Sequence, residues 1–208
     1  VVQSEEETTA AIVFKTIADP YVGKMSLFRV YSGDIHSDSV LYNPNRGCNE
    51  KIGKVFMLCG KKQLEASKIK AGDIGCTAKL ENTKTGDTLC DKDKNIILTG
   101  IEFPSPVLSM AAEPVTKGDE EKIIGGLMKL AEEDPSFTVT NNSETKQTLI
   151  NGQGEQHIDV LVNKLKSKYG VSVKLSEPIV PYRETIKGEA TVEGKHKKQS
   201  GGHGQYGH

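Results

Sequence analysis

The chain lacks several features that define common classes of protein. It has no tryptophan, aromatic residues make up only 5% of its 208 residues, and no apolar run approaches the roughly 20 residues that span a bilayer. Lys and Arg total 27 against 28 Asp and Glu, which leaves a net charge of −1 and no overall basic field to attract nucleic acid. These absences argue against a membrane protein and against a histone-like nucleic-acid binder.

The cysteines lack the close spacing of a zinc site. Cys48, Cys59, Cys76 and Cys90 are each at least ten residues apart, whereas zinc knuckles use a close pair of thiolates. We therefore predict four reduced thiols in or near the strands of a cytoplasmic protein, with no metal site.

Nucleotide-binding motifs are also missing. Each Gly-Lys pair is followed by a residue other than Ser or Thr, so the chain has no phosphate-binding loop of the Gly-x4-Gly-Lys-Ser/Thr type. Gly202, Gly204 and Gly207 match the dinucleotide fingerprint by letter, but no helix follows them to hold a pyrophosphate. We interpret this segment as a flexible loop that makes backbone contacts. We expect the chain alone to bind no GTP or other cofactor and to be inactive as a GTPase.

Residues 1–103 have the pattern of an all-β unit. Short runs rich in β-branched and aromatic residues alternate with turn residues, which favours a closed barrel or a sandwich. The predicted strands are residues 11–17, 24–31, 39–42, 53–58, 74–80 and 95–99. Pro104 and Pro106 cannot continue a central strand, so we place a domain boundary before Pro104.

Residues 104–180 have a mixed pattern with a net charge of −3. A strand over 107–112 precedes a helix that Thr116 opens as N-cap, with Asp119 three residues later. A hairpin around 141–143 follows, then a helix that Gly170 ends, and a strand over 171–175. The order β-α-β-β-α-β predicts an α+β ferredoxin-like domain.

Glu155, His157 and Asp159 could form an acid/base or metal cluster at the start of the second helix. Glu155 and Asp159 share a helix face, but His157 lies about 200° around the axis from Glu155. We therefore favour two carboxylates that oppose the helix dipole and a histidine that is packed or at the surface. A stand-alone hydrolase that uses these three residues is the alternative.

Several strings together resemble one family. They are residues 18–24, 28–33, 71–75, 85–90, 101–106, 113–114, 130–135, 152–159, 182–185 and 199–208. In this order they resemble elongation factor G, the translocation GTPase of bacterial ribosomes. Gln156, where the family usually has Leu, and His203, where Arg is common, suggest a diverged or accessory paralogue.

The resemblance implies a multi-domain fold in which residues 1–103 form a domain II β-barrel, 104–180 a ferredoxin-like domain III and 181–208 the truncated start of domain IV. The domain that binds GTP and Mg would lie upstream, in a longer parent that promotes translocation of tRNA and mRNA. Implied partners are the ribosome, with its RNA and proteins, and the parent's own GTPase domain. Contact with tRNA and mRNA would come through the rest of domain IV. We expect the chain itself to be monomeric.

The resemblance also selects residues for ribosome contact or for coupling to the GTPase domain. They are Gly152, Gly154, Glu155, His157, Arg29, Arg183, Ser200, Gly201, Gly202 and His203. Gly152 and Gly154 would permit close approach of a partner to the backbone, or would merely form a tight turn from strand to helix. A ribosome-protection or ribosome-recycling GTPase, or a free RNA-binding module, would be the alternative to a translocation factor.

Overall fold

The computed structural model describes residues 8–19, 23–60, 62–200 and 202–207. Ten strands form the first part of the chain. They are β1 (Ala10–Asp19), β2 (Gly23–Ser32), β3 (Asp34–His36), β4 (Val40–Asn43), β5 (Cys48–Lys51), β6 (Val55–Cys59), β7 (Lys62–Ala66), β8 (Lys68–Lys70), β9 (Ile74–Ala78) and β10 (Thr88–Cys90). Eight of them form one sheet in the order β5-β4-β10-β1-β2-β9-β6-β7, and β3 pairs with β8.

The alternation of side chains explains why these strands enclose one core. On β2, Phe28 and Val30 are fully buried, whereas Arg29 between them is exposed. Successive side chains of a strand point to opposite faces, so one face of β2 lies against the core. Ile35 and Ile69, which face each other across β3 and β8, join the same cluster.

Several predictions for this region need correction. Residues 95–99 form no strand, because the N–H of Leu98 donates to the hydroxyl of Thr88 (3.0 Å) and not to a strand ladder. The sequence did not predict strands β3, β5, β7, β8 and β10. Strand β7 was missed because four of its five side chains are exposed, so its sequence carries no alternating pattern. Lys79, at a φ of 64°, ends β9 two residues earlier than predicted.

The second part of the chain places two helices on a four-stranded antiparallel sheet. Its elements are β11 (Leu108–Pro114), α1 (Glu120–Glu133), β12 (Thr138–Asn142), β13 (Gln147–Gly152), α2 (Glu155–Tyr169) and β14 (Val173–Ser176). The strand order is β12-β13-β11-β14. Leu127 of α1, Leu165 of α2 and Ile150 of β13 are all fully buried in one cluster. The predicted hairpin between β12 and β13 is confirmed.

The predicted start of α1 is wrong. Thr116 does not cap the helix: its carbonyl accepts the N–H of Asp119 (3.4 Å) in a turn, and the helix begins at Glu120. Gly118 causes the difference, because its φ of 94° takes the backbone out of the helical path. The end of α2 is as predicted: Gly170 is left-handed (φ 69°), and its N–H donates to the carbonyl of Lys166 (3.0 Å).

The last described elements are β15 (His196–Ser200) and β16 (His203–Gly207), which pair with each other. The flexible loop predicted for the glycine-rich end is therefore wrong. Pairing between the two strands satisfies the backbone groups that face the partner strand, and Lys197 lies opposite Tyr206. Residues 177–195, between β14 and β15, form neither helix nor strand.

Candidate functional site

The turn between β13 and α2 brings four candidate residues together, because Gly152, Gly154, Glu155 and His157 lie within six positions of one another. Gly152 ends β13, and its carbonyl accepts the N–H of Val107 (2.9 Å). A Cβ at residue 152 would lie 3.1 Å from Cγ1 of Ile158 and 3.3 Å from Nδ1 of His157. A larger residue at position 152 would therefore force the side chains of Ile158 and His157 to shift by a few tenths of an ångström.

Gly154 has a different environment. Its φ of 165° is extended, a conformation that any residue adopts, and a Cβ there would meet no atom within 4 Å. Its carbonyl accepts the N–H of Ile158 (3.1 Å), the first hydrogen bond of α2. Glu155 follows as the exposed first residue of the helix, where a negative charge opposes the helix dipole favourably. Unlike Gly152, Gly154 leaves open space beside the backbone.

His157 is half-buried and hydrogen-bonded at both ring nitrogens. Nδ1 accepts the N–H of Gln153 (3.1 Å), so in the neutral ring the proton lies on Nε2, which donates to Oδ2 of Asp134 (3.1 Å). The ring also makes an edge contact with buried Phe137, at 6.1 Å between centroids. His157 therefore joins the start of α2 to the residue after α1.

Asp134 is electrostatically adapted to this position. Burial alone would raise the pKa of its carboxyl, but hydrogen bonds from the hydroxyl and N–H of Ser136 and from His157 lower the pKa overall. Oδ1 accepts both groups of Ser136, at 2.5 and 2.9 Å. Asp134 is thus held in its charged form while it orients the imidazole of His157.

Sequence reasoning missed Gln153, which lies between the two glycines. Its side-chain amide donates to the carbonyls of Pro104 (3.1 Å) and Ser136 (3.0 Å). The turn is thereby tied both to the junction before β11 and to the loop before β12. Both acceptors are backbone carbonyls distant in sequence, so no sequence pattern could have identified the role of Gln153.

A cleft of about 400 Å³ lies between the first sheet and α1. From the β-rich part it is lined by Thr16, Lys24, Arg46, Lys84 and Thr85, and from the second part by Met128, Ala131, Glu132 and Pro135. The β-rich side thus carries three basic side chains, and the helical side has apolar side chains and one carboxylate.

Two buried carboxylates hold the loop that supplies Lys84 and Thr85. Oε1 of Glu50 accepts the N–H groups of Asn82 and Thr83, both at 2.7 Å. Asp87 accepts from Nε of Arg46 (2.8 Å) and from the N–H of Lys84 (2.9 Å). Burial would raise the pKa of Asp87, but its bonds from Arg46 and Lys84 lower it overall. The loop therefore has one fixed position beside the cleft.

Models of three consecutive domains match the chain. Residues 8–92 match "Elongation factor G domain 2", residues 103–177 "Elongation Factor G, domain III" and residues 178–208 "Elongation factor G, domain IV". The chain belongs to the elongation factor G family. Elongation factor G of Thermotoga maritima is 47% identical over 204 residues, and that of Thermotoga neapolitana is 46% identical. Both comparisons cover 98% of this chain.

A solved structure from Thermus thermophilus shares the fold, with a TM-score of 0.78 and 35% identity over 97% of this chain. The chain spans about 30% of the length of the elongation factor G relatives and of that solved structure. The candidate turn at 152–157, together with Asp134 and Gln153, lies within the part that matches domain III.

The remaining candidate residues lie elsewhere. Arg29, in the part that matches domain 2, is exposed, and its guanidinium carbon lies 5.4 Å from the centroid of the Tyr31 ring. Arg183 forms an ion pair with Glu144 of the β12–β13 turn. Ser200 ends β15, His203 begins β16 and Gly202 lies in the turn between them, whereas Gly201 falls outside the described residues.

Across the described ranges, no group of three His, Cys, Asp or Glu side chains is placed to hold a metal ion. All four cysteines are free thiols; Cys76 and Cys90 are buried and Cys59 is exposed. Neither helix in the described part of the chain is both long and apolar enough to cross a membrane.

Proposed function

We propose that the chain is the ribosome-contacting and coupling part of a translational GTPase that promotes GTP-dependent translocation of tRNA and mRNA. The observation that carries this proposal is the series of three elongation factor G domains, matched in order. In this proposal GTP and Mg bind a domain of the parent outside this chain, and the chain itself contributes no catalytic residue.

The proposal includes a fold for each part. The eight-stranded sheet around one core would be a domain II β-barrel, spanning residues 1–103. The β-α-β-β-α-β unit over 104–180 would be a ferredoxin-like domain III, because a strand order of β12-β13-β11-β14 is that of the split βαβ motif. Residues 181–208 would begin domain IV, through which the parent reaches tRNA and mRNA.

Within this proposal, the turn at residues 152–157 is the coupling element. The open backbone at Gly154 and the exposed Glu155 would meet the parent's GTPase domain or the ribosome. His157 and Gln153 would transmit a displacement of that turn to the end of α1 and to the domain junction, since they bond Asp134 and Pro104. A packed network with defined bonds is the physical connection that such coupling needs. Arg29, Arg183 and the hairpin residues Ser200, Gly201, Gly202 and His203 would contact ribosomal RNA or protein.

The test is a chimera in which this chain replaces the matching segment of Thermotoga maritima elongation factor G. We expect the chimera to bind GTP and to translocate tRNA and mRNA on ribosomes, and we expect Gly154→Val in the chimera to slow translocation while GTP binding is retained. Glu177→Gln, an exposed position outside the turn, serves as the control. A folded chimera that binds GTP but never stimulates translocation would contradict the proposal.

A further inference from the structure

One edge of β1 is covered by several different parts of the chain. Strand β10 pairs only with residues 10–12 of β1. Beyond them, the N–H of Val13 donates to the carbonyl of Asp87 (2.9 Å), and the hydroxyls of Thr16 and Thr85 are 2.9 Å apart. At Ala18 the N–H donates to Oε1 of Glu133 (2.8 Å), the last residue of α1. This edge of β1 therefore ends on a side chain of the second part.

Glu133 makes a second bond with the same oxygen. Oε1 accepts Nζ of Lys168 on α2 (2.7 Å), and the Glu133 side chain is only 12% exposed. One carboxylate oxygen thus holds together β1, α1 and α2. Because Ala18 is also buried, loss of the carboxylate would leave its N–H without this acceptor and Lys168 without its counter-charge.

The covalent connection does not by itself fix how the two parts are oriented. Residues 91–107, between β10 and β11, form no helix or strand. The cleft beside Glu133 shows that α1 and the first sheet are not closely packed along their whole contact. The bonds of Glu133 therefore act beside a gap in the contact between α1 and the first sheet.

We propose that Glu133 is a conformational latch between the β-rich part and the helical part of this chain. While its carboxylate holds the Ala18 N–H, the two parts keep one orientation; when that bond is lost, the second part moves about the 91–107 connection. Lys168 positions the carboxylate and neutralises it. The latch concerns the chain itself and does not depend on ribosome binding or on a GTPase domain.

The distance between the two parts tests this proposal directly. Spin labels at Val40→Cys on β4 and Val160→Cys on α2 occupy exposed positions, with Cys48 and Cys59 replaced by Ser so that only the new thiols react. Double electron–electron resonance on the 208-residue chain should give one narrow distance distribution. We expect Glu133→Ala to broaden it and to add a second population. Lys168→Met should broaden it less, since the Ala18 bond remains.

Glu132→Ala is the matched control, because it removes a neighbouring carboxylate that lines the same cleft. The distance distribution of this variant should be the same as that of the spin-labelled chain with Glu132 and Glu133 intact. Circular dichroism establishes that each variant is folded. If Glu133→Ala unfolds, Glu133→Asp keeps the charge but withdraws it by one methylene, and broadening is again expected. A folded Glu133→Ala or Glu133→Asp variant with an unchanged narrow distribution, or equal broadening in Glu132→Ala, would overturn the latch.

Discussion

Nε2 of His157 lies 3.1 Å from Oδ2 of Asp134, and this bond connects the first turn of α2 to the residue that follows α1. The imidazole is fixed from its other side by the N–H of Gln153 (3.1 Å). The histidine that the sequence placed among candidate coupling residues is thus a structural connector between helices. Both of its ring nitrogens are thus engaged within the fold.

Asp134 should make stability depend on acid pH. Its pKa is lowered in the folded chain, so its contribution is complete above the unfolded value of about 4 and is lost as the pH falls through the folded pKa. We expect Asp134→Asn to lower the melting temperature at neutral pH. The difference in melting temperature from the unsubstituted chain should shrink below about pH 4. Thermal unfolding, monitored by circular dichroism at several pH values, measures this difference. Asp159→Asn, an exposed position on α2, is the control, and a difference independent of pH would contradict the assignment.

Adjacent glycines in α1 should respond oppositely to alanine. A Cβ at Gly126 would lie 2.6 Å from Cδ1 of Leu165 and 3.2 Å from the ring of Tyr169, whereas one at Gly125 would meet nothing within 4 Å. Gly126→Ala should destabilise by about 1–3 kcal/mol through overpacking. Gly125→Ala should stabilise by roughly 0.5–1 kcal/mol through helix propensity. Urea unfolding measures the change in the free energy of unfolding for both variants. Equal changes would show that the helices do not cross at Gly126.

The turn before α1 should depend on Gly118 and not on Thr116. Because Thr116 makes no capping bond to α1, Thr116→Ala should change the free energy of unfolding by less than about 0.5 kcal/mol. Gly118→Ala should cost about 1 kcal/mol or more, since φ is 94° there. Chemical denaturation distinguishes the two. If Thr116→Ala lost about 1 kcal/mol of unfolding free energy, Thr116 would be a helix cap, as the sequence predicted.

Glu50 should be among the most sensitive residues of the first part. Its carboxylate is buried and accepts three backbone N–H groups and the hydroxyl of Thr83. Glu50→Ala should destabilise by about 3 kcal/mol or more, because buried donors lose a charged acceptor. Glu81→Ala, an exposed side chain of the same loop, should stay within about 0.5 kcal/mol. Unfolding in guanidinium measures the free energy of unfolding of both variants. A small loss for Glu50→Ala would mean that water replaces the carboxylate.

Local patterns predicted some elements well. The apolar spacing of α2 and the glycine after Tyr169 both depend on residues a few positions apart, and the structure bears them out. The prediction of where α1 begins was wrong for an equally local reason. The spacing of Thr116 and Asp119 is that of a capping box, but Gly118 between them takes up a left-handed backbone that this spacing does not reveal.

The candidate turn was only partly predictable. Gly152, Gly154, Glu155 and His157 are neighbours in sequence, so their proximity needed no structure. The structure was needed to show their different surroundings: a Cβ at Gly152 would be tight against His157 and Ile158, whereas Gly154 has open space. Asp134 and Gln153 belong to the same network through partners that lie 23 and 49 residues away.

By itself, the sequence determined the family, the change from strand-rich to mixed pattern near Pro104 and the helix signals of α2, because motifs and periodicity are properties of contiguous residues. Tertiary structure alone decided that Glu133 receives the N–H of Ala18, 115 residues away, and that Asp134 orients His157. Which residue a side chain contacts across the fold depends on how sheets and helices pack. The spacing of residues along the sequence does not predict such long-range contacts.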